Sequence, residues 1–293
     1  MINFRYHVVS IIGIFVALAV GVVLGAGPLQ TRIRAGVSSS GATTTVDPAA
    51  SAHAEAEAAG LKALASSTLA GSLAGRQVAL VVLPGASEDD VSAIRSTLTD
   101  AGASVVGRVS LTDNWESTSM SQYRTTLASH LSSGGAKTAS ADGIVGYAIA
   151  QVLSSTGAET DLLRQILTDQ STPIMTVDED PAGGASTLVA IGARAQAQPQ
   201  ATASPSAVSK SSDAWAGLAQ AVGSTSGVVV GDASSRDAMI TYLRGSATGV
   251  TTVDSVGTTL AAVDTALALA HGGSGARAFG VGNGAQSVVP STK

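Results

Sequence analysis

The chain has 293 residues, a net charge of −5, 13% charged residues and no cysteine. So sparse and mildly acidic a charge set leaves no basic surface for nucleic acid. The lack of cysteine removes disulfides, thiolate metal sites, cysteine nucleophiles and a lipid-modified cysteine.

Residues 8–24, VVSIIGIFVALAVGVVL, carry no charge, and Gly25, Ala26 and Gly27 extend the run. Together they reach the ~20 residues a helix needs to cross roughly 30 Å of hydrocarbon. Arg5 and the small residues before Pro28 would also suit a secretory signal peptide. The run is long for one, however, and Pro28 is poor at a cleavage junction, so residues 1–29 are read as an uncleaved transmembrane anchor. Flanking charge is nearly tied, with Arg5 and the amino terminus facing Arg32 and Arg34. The long following domain decides for a cytoplasmic N-terminus and an extracytoplasmic body, a single-pass protein of the cell membrane. Gly13, Ala17, Gly21 and Gly25 recur every four residues, a face of small side chains on which membrane helices pack closely. It predicts a homo-oligomer or a membrane partner, although glycine and alanine are also simply common in such helices.

Residues 30–76 form a spacer and a juxtamembrane helix. The first part is rich in Ser, Thr and Gly without apolar period. The second, 49–73, is alanine-rich with Leu61, Leu64, Thr68 and Leu69 at helical spacing. The folded body starts at Gln77. Residues 78–83 read as a strand, Ser87 with Glu88, Asp89 and Asp90 as a capped helix start, and Val91, Ile94, Leu98 and Ala101 as that helix's apolar face. Gly102 ends the helix, and 104–111 is the next strand, so this is a βαβ unit with parallel strands.

The same pattern returns at a constant offset: Val228, Val229, Ala233, Ser234, Asp237, Gly249, Val253 and Val256 match Val81, Val82, Ala86, Ser87, Asp90, Gly102, Val106 and Val109. Duplication and convergence on βαβ grammar both give such a match. Either way the expected fold is α/β, with two Rossmann-like halves at 77–195 and 213–293. Between the two strand pairs, helices are expected near 117–131, 142–154 and 159–169, then a strand at 187–191. Residues 196–212 form a Pro/Ser/Gln-rich exposed linker, and 213–222 is a further helix.

No G-x-S-x-G, H-E-x-x-H or Walker loop is present, so the chain is read as non-catalytic. His7, His53, His130 and His271 have no ligand spacing, and Met1, Met120, Met175 and Met239 are scattered. The acidic run Asp178, Glu179, Asp180 reads as a solvated turn before Pro181. The tail has glycines at 272, 273, 275, 280, 282 and 284. Such glycines can bring backbone N–H groups against an anion, yet a dinucleotide loop lies between a strand and a helix, whereas this one follows the helix at 258–270. The tail is therefore read as a tight backbone path running into an extended 286–290.

The N-terminal FRYHVVSIIGIFVALAVGVVLG and the C-terminal TVDSVGTTLAAVDTALALAHGGSGARAFGVGNGA are similar to the two ends of the actinobacterial MctB-like copper transporter family. His271, Gly272, Gly273, Gly280, Gly282 and Gly284 lie in the C-terminal motif. The resemblance implies a single N-terminal anchor, an extracytoplasmic α/β domain and a role in copper export or homeostasis. Copper enters by resemblance only, with His271 a weak candidate ligand; the residues themselves point to no cofactor. A SteB-like branch implies instead a cell-envelope scaffold that works with a membrane partner to regulate cell-wall hydrolysis at division. This chain departs from the family in its short, weakly periodic segment between anchor and domain. One helix cannot enclose an ion path, so transport would need oligomers or a partner.

Overall fold

The computed structural model describes residues 48–130, 140–181, 183–195, 209–271 and 277–290. The expected anchor with Gly13, Ala17, Gly21 and Gly25, the spacer to residue 47, most of the linker, and Gly272 and Gly273 lie outside them. The chain divides into two units, Met1–Ala54 and Glu55–Lys293. Of the first, only the opening turns of helix α1 (Pro48–Leu69) are described. Among the described residues no helix is long and apolar enough to cross a membrane.

Proline suits the first position of α1, where its missing N–H has no helical partner. Within the second unit, Leu61, Ala65 and Leu69, with Leu73 beyond the helix, pack into the core. Leu64, which the sequence pattern placed on that face, is 68% exposed. Ala65 sets the true stripe, and in so alanine-rich a segment hydropathy hardly marks it.

One seven-stranded sheet organises the second unit. Its strands are β1 (Gln77–Val82), β2 (Ser104–Leu111), β3 (Met175–Glu179), β4 (Thr187–Ile191), β5 (Val228–Val230), β6 (Thr251–Val253) and β7 (Ala278–Phe279). Their order is β3-β2-β1-β4-β5-β6-β7. Every neighbouring pair is parallel except β2 and β3. The two expected βαβ units share this sheet, because β4 pairs with β1 on one side and β5 on the other. Strands β4 and β5 are buried throughout, which explains why β5 and all of β4 after Thr187 are apolar.

Side chains alternate across the sheet. Val78, Leu80 and Val82 face α2 (Glu88–Asp100) and α8 (Thr259–Ala270). Ala79 and Val81 face the opposite layer: α3 (Ser121–His130), α4 (Ala141–Ser154), α5 (Ala158–Leu167), α6 (Ser212–Ser224) and α7 (Met239–Gly245). The steps β4-α6-β5 and β5-α7-β6 advance along the sheet over this second layer. The step β6-α8-β7 advances in the same direction over the first, so its hand is opposite to theirs. Parallel crossovers are right-handed in about 98% of cases, which makes the C-terminal step unusual.

Gly102, directly after the C-cap of α2, has the left-handed backbone expected of a helix-ending glycine, at φ 95°. Its counterpart Gly249 is also left-handed, at φ 70°, but does not end α7, which stops at Gly245 with Ser246 as its C-cap. Ser87 occupies the N-cap position of α2, but its side chain makes no capping bond. The acids that follow it are engaged elsewhere: Glu88 pairs with Arg108 and Asp90 with Arg194.

The acidic run is not a solvated turn. Asp178 and Glu179 belong to β3, an antiparallel edge strand, and arginines take up all three carboxylates. Arg108 Nε lies 3.1 Å from Asp178, Arg164 Nη1 lies 3.0 Å from Asp180, and Arg95 holds Glu179 through both oxygens.

Arg124, with no exposed surface, locks the second helical layer together. It donates to Asp142 Oδ2 at 3.0 Å and to the carbonyls of Asn114 and Ser117 at 2.7 and 2.8 Å. Ser211 Oγ, at the start of α6, donates to the same Asp142 oxygen at 2.7 Å. Burial pushes the Asp142 carboxyl up, but the bonds from Arg124 and Ser211 outweigh it and hold the group below the usual carboxylate range.

Candidate functional site

The glycine-rich tail is built around a carboxylate of the chain itself. Asp254 follows β6, is 1% exposed, and accepts from the Val281 N–H at 2.9 Å and the Gly282 N–H at 2.8 Å. Ser255 Oγ donates to it at 2.5 Å. Arg244, from α7, donates to Asp254 at 2.9 Å, to the Phe279 carbonyl at 2.7 Å and to the Asn283 carbonyl at 2.8 Å. Glycine is required at two of these positions. A Cβ on Gly280, whose φ is 119°, would lie 2.1 Å from Asp254 Oδ1, and one on Gly282 would lie 2.8 Å from the Ala233 Cβ. The chain then turns back, so that Gly280 N–H bonds to the Ser287 and Val288 carbonyls at 3.0 and 3.1 Å. Burial raises Asp254, yet its four donors prevail and keep it ionised below the usual range.

Asp264 of α8 has the opposite fate. It has no exposed surface, and neither carboxyl oxygen has a hydrogen-bond partner. Burial first, and the charge of Asp254 second, push it up to about 7.

The second feature is a cleft of about 360 Å³ above the carboxyl ends of β1, β4 and β5. At β1 and β4 successive connections leave for opposite faces of the sheet, which opens a crevice in doubly wound folds. Gly192 and Gly231 line it beside Pro84; Arg194, Lys210, Asp232 and Asp237 supply charge, and Trp215 and Met239 apolar surface. Arg194 is tied to Asp90 at 2.6 Å, and Lys210 to Glu116 at 2.7 Å. Glu116 also accepts from the Trp215 indole at 2.6 Å, so the Trp215 ring is fixed, edge-on to Tyr242. The cleft can therefore offer oriented charge of both signs to a small polar ligand.

Of the residues singled out from sequence, Gly280, Gly282 and Gly284 are brought together around Asp254 and Arg244. His271 stands apart, exposed at the C-terminal end of α8. Among the described residues no three His, Asp or Glu side chains gather as a metal centre. Sequence reasoning missed Asp254, Arg244 and Asp264. The signal for the first was an acid closing an apolar strand upstream of a G-x-G-x-G tail. The cleft residues left no signal, since they come from three distant strand ends, from the segment around Glu116 and from the starts of α6 and α7.

This architecture defines an open, doubly wound α/β protein with a crevice at its switch point and a tail fastened across the last strands. A family model described as copper transport outer membrane protein, MctB, matches residues 1–290. The chain belongs to that family. No curated protein matches it.

Proposed function

We propose that the chain is a single-pass, membrane-anchored envelope protein serving copper export or homeostasis, with a non-catalytic α/β body outside the cytoplasm. The observation that carries this reading is the family match, which spans both the apolar N-terminal run and the folded body and carries copper transport in its description. Because one helix cannot enclose an ion path, the protein works as a homo-oligomer or beside an envelope partner. Copper is cargo in this reading, and the switch-point cleft is where the body meets a ligand.

The test is a deletion strain grown on a copper gradient and complemented with the full chain, with a chain whose residues 8–24 are broken by two arginines, and with His271→Ala. Restored tolerance by the full chain alone or by both it and His271→Ala supports the reading, the latter discarding His271 as ligand. Unchanged tolerance on deletion sinks it. Fractionation of inner and outer membranes reports on the anchor.

A second reading, a scaffold that binds an envelope protein and controls cell-wall hydrolysis, is favoured by one observation. Three of the five exposed large hydrophobics among the described residues are Val281, Val288 and Val289, all in the tail beside β7. Crosslinking in intact membranes, followed by pull-down, should then recover a partner through that tail. Division defects without copper sensitivity would favour this reading over the first.

A further inference from the structure

The charges that line the switch-point cleft differ in how far the protein already compensates them. Arg194 and Lys210 are half exposed, while the carboxylates that hold them, Asp90 and Glu116, are buried. Arg194 uses Nε and Nη2 on Asp90, which leaves Nη1 without a protein partner. Lys210 gives one of its three donors to Glu116. Both cations are thus pinned from behind with donors left over. Asp232 and Asp237 are in the reverse state. Asp232 accepts only from the N–H and hydroxyl of Ser234 in its own loop. Neither acid has a cationic partner among the described residues. Lys210 is placed by the segment that continues from β2, since it bridges Ser117 and its neighbour Ser211 donates to the Glu116 carbonyl. Asp232, by contrast, follows the end of β5. In the order β2-β1-β4-β5 those two strands are three spacings apart, roughly 14 Å.

We propose that the cleft takes a short zwitterionic peptide, with its free carboxylate on Lys210 and Arg194 Nη1 and its terminal ammonium on Asp232 and Asp237. This rests on the reading of the cleft as the body's ligand site and adds the chemistry of the ligand. A purely anionic ligand would leave the two acids uncompensated. A purely cationic one would strip water from the spare donors of Lys210 and Arg194 and return nothing. Phosphate is disfavoured in particular, because the first turn of α2, where doubly wound folds hold it, carries Glu88, Asp89 and Asp90. The span selects the length. Both charges of a single amino acid sit on one Cα, whereas side chains reaching inward from the two rims still leave room for two or three residues at ~3.5 Å each. A volume of about 360 Å³, low among small-molecule sites, suits a ligand of that size. Trp215, fixed by Glu116 and Tyr242, gives an apolar peptide side chain a rigid surface to lie on.

The experiment is isothermal titration calorimetry on the full chain in nanodiscs at neutral pH, with L-alanyl-L-phenylalanine, its N-acetyl form and its C-terminal amide. The free dipeptide should bind saturably, and each blocked form, lacking one charge, about tenfold or more weakly. Asp237→Asn should weaken the free dipeptide about tenfold and leave the N-acetyl form unchanged. The paired change Lys210→Gln with Glu116→Gln, which leaves no buried charge alone, should weaken the free dipeptide and leave the amide unchanged. Circular dichroism melts check folding, and Asp237 is exposed, so Asp237→Asn carries the test if the paired variant does not fold. Equal binding of all three peptides, weakened by these substitutions, overturns the zwitterion and keeps the cleft as a ligand site. Binding of the free dipeptide that no folded variant alters overturns both. No binding of any of the three overturns the proposal and leaves copper handling to the deletion strain.

Discussion

Arg244 and Asp254 form a pair 2.9 Å apart with 4% and 1% of their side chains exposed, and the guanidinium reaches past it to two carbonyls of the tail. Removing one member of such a pair leaves a buried charge without its partner, which costs about 3–5 kcal/mol. Arg244→Met should therefore lower the unfolding free energy by that order, measured by urea denaturation followed by circular dichroism. Gly280→Ala attacks the same place from the tail, because its Cβ collides with the Asp254 carboxylate and its backbone is left-handed. Asn283→Ala keeps the carbonyl that Arg244 uses and should leave stability within about 0.5 kcal/mol of wild type. A stable Arg244→Met protein would show that the fastening contributes little.

The pH dependence of stability has two limbs of opposite sign. Asp142, Asp254 and Glu179 have carboxyl groups held below their ordinary values in the folded state. The stability they contribute is present above the unfolded value of about 4 and is lost as pH falls through their lower folded values. Asp264 is raised to about 7, so the folded state binds its proton more tightly than the unfolded chain does. Its contribution is complete below about pH 4 and declines as pH rises to about 7, beyond which it is flat. Melting temperatures recorded across this span should fall on both sides, and Asp264→Asn should flatten only the upper limb. An upper limb unaffected by that substitution would place the titrating group elsewhere.

The buried lock in the second helical layer gives a sharper contrast. Arg124→Met leaves the Asp142 carboxylate buried with only hydroxyl donors, so it should destabilise by about 3–5 kcal/mol. The paired change Arg124→Met with Asp142→Leu removes both charges and should recover a large part of that loss. A double-mutant cycle by urea denaturation measures the coupling directly. If the double variant is no better than Arg124→Met, the lock acts through Asn114 and Ser117 rather than through the ion pair.

How much of this was legible depended on the burial of each element. Thr187–Ile191 is legible over its full extent because, after its opening threonine, a strand covered on both faces is an apolar run. The βαβ start at Gln77 was equally clear, since strand, acidic helix start and left-handed glycine follow one another. Strand β3 was not, for MTVDE alternates only weakly and ends in acids that solvate well. Their three arginine partners come from α2, β2 and α5, which sequence spacing cannot bring together. The tail glycines were visible as a tight path, but the anion they surround was not, because Asp254 looked like an ordinary strand-end acid. The unusual hand of the β6-α8-β7 step was hidden too, as the apolar pattern of α8 does not say which face of the sheet it covers.

Helices α4 and α6 touch through glycine, and this contact makes a prediction whose sign is set by space alone. A Cβ on Gly146 would lie 2.4 Å from the Leu218 N and 2.5 Å from its Cα, and one on Gly217 would lie 2.2 Å from the Gly143 Cα. These obstacles are backbone, so a substitution must push the helices apart. Overpacking of this kind costs about 1–3 kcal/mol or more, which exceeds the gain from replacing a helical glycine. Gly60, in α1, has nothing within 4 Å of its would-be Cβ. There only the helix propensity acts, and alanine is favoured by about 1 kcal/mol. Gly146→Ala should thus lower the melting temperature while Gly60→Ala raises it, although both are the same exchange in a helix interior. Two shifts of the same sign would mean that α4 and α6 do not meet this closely in solution.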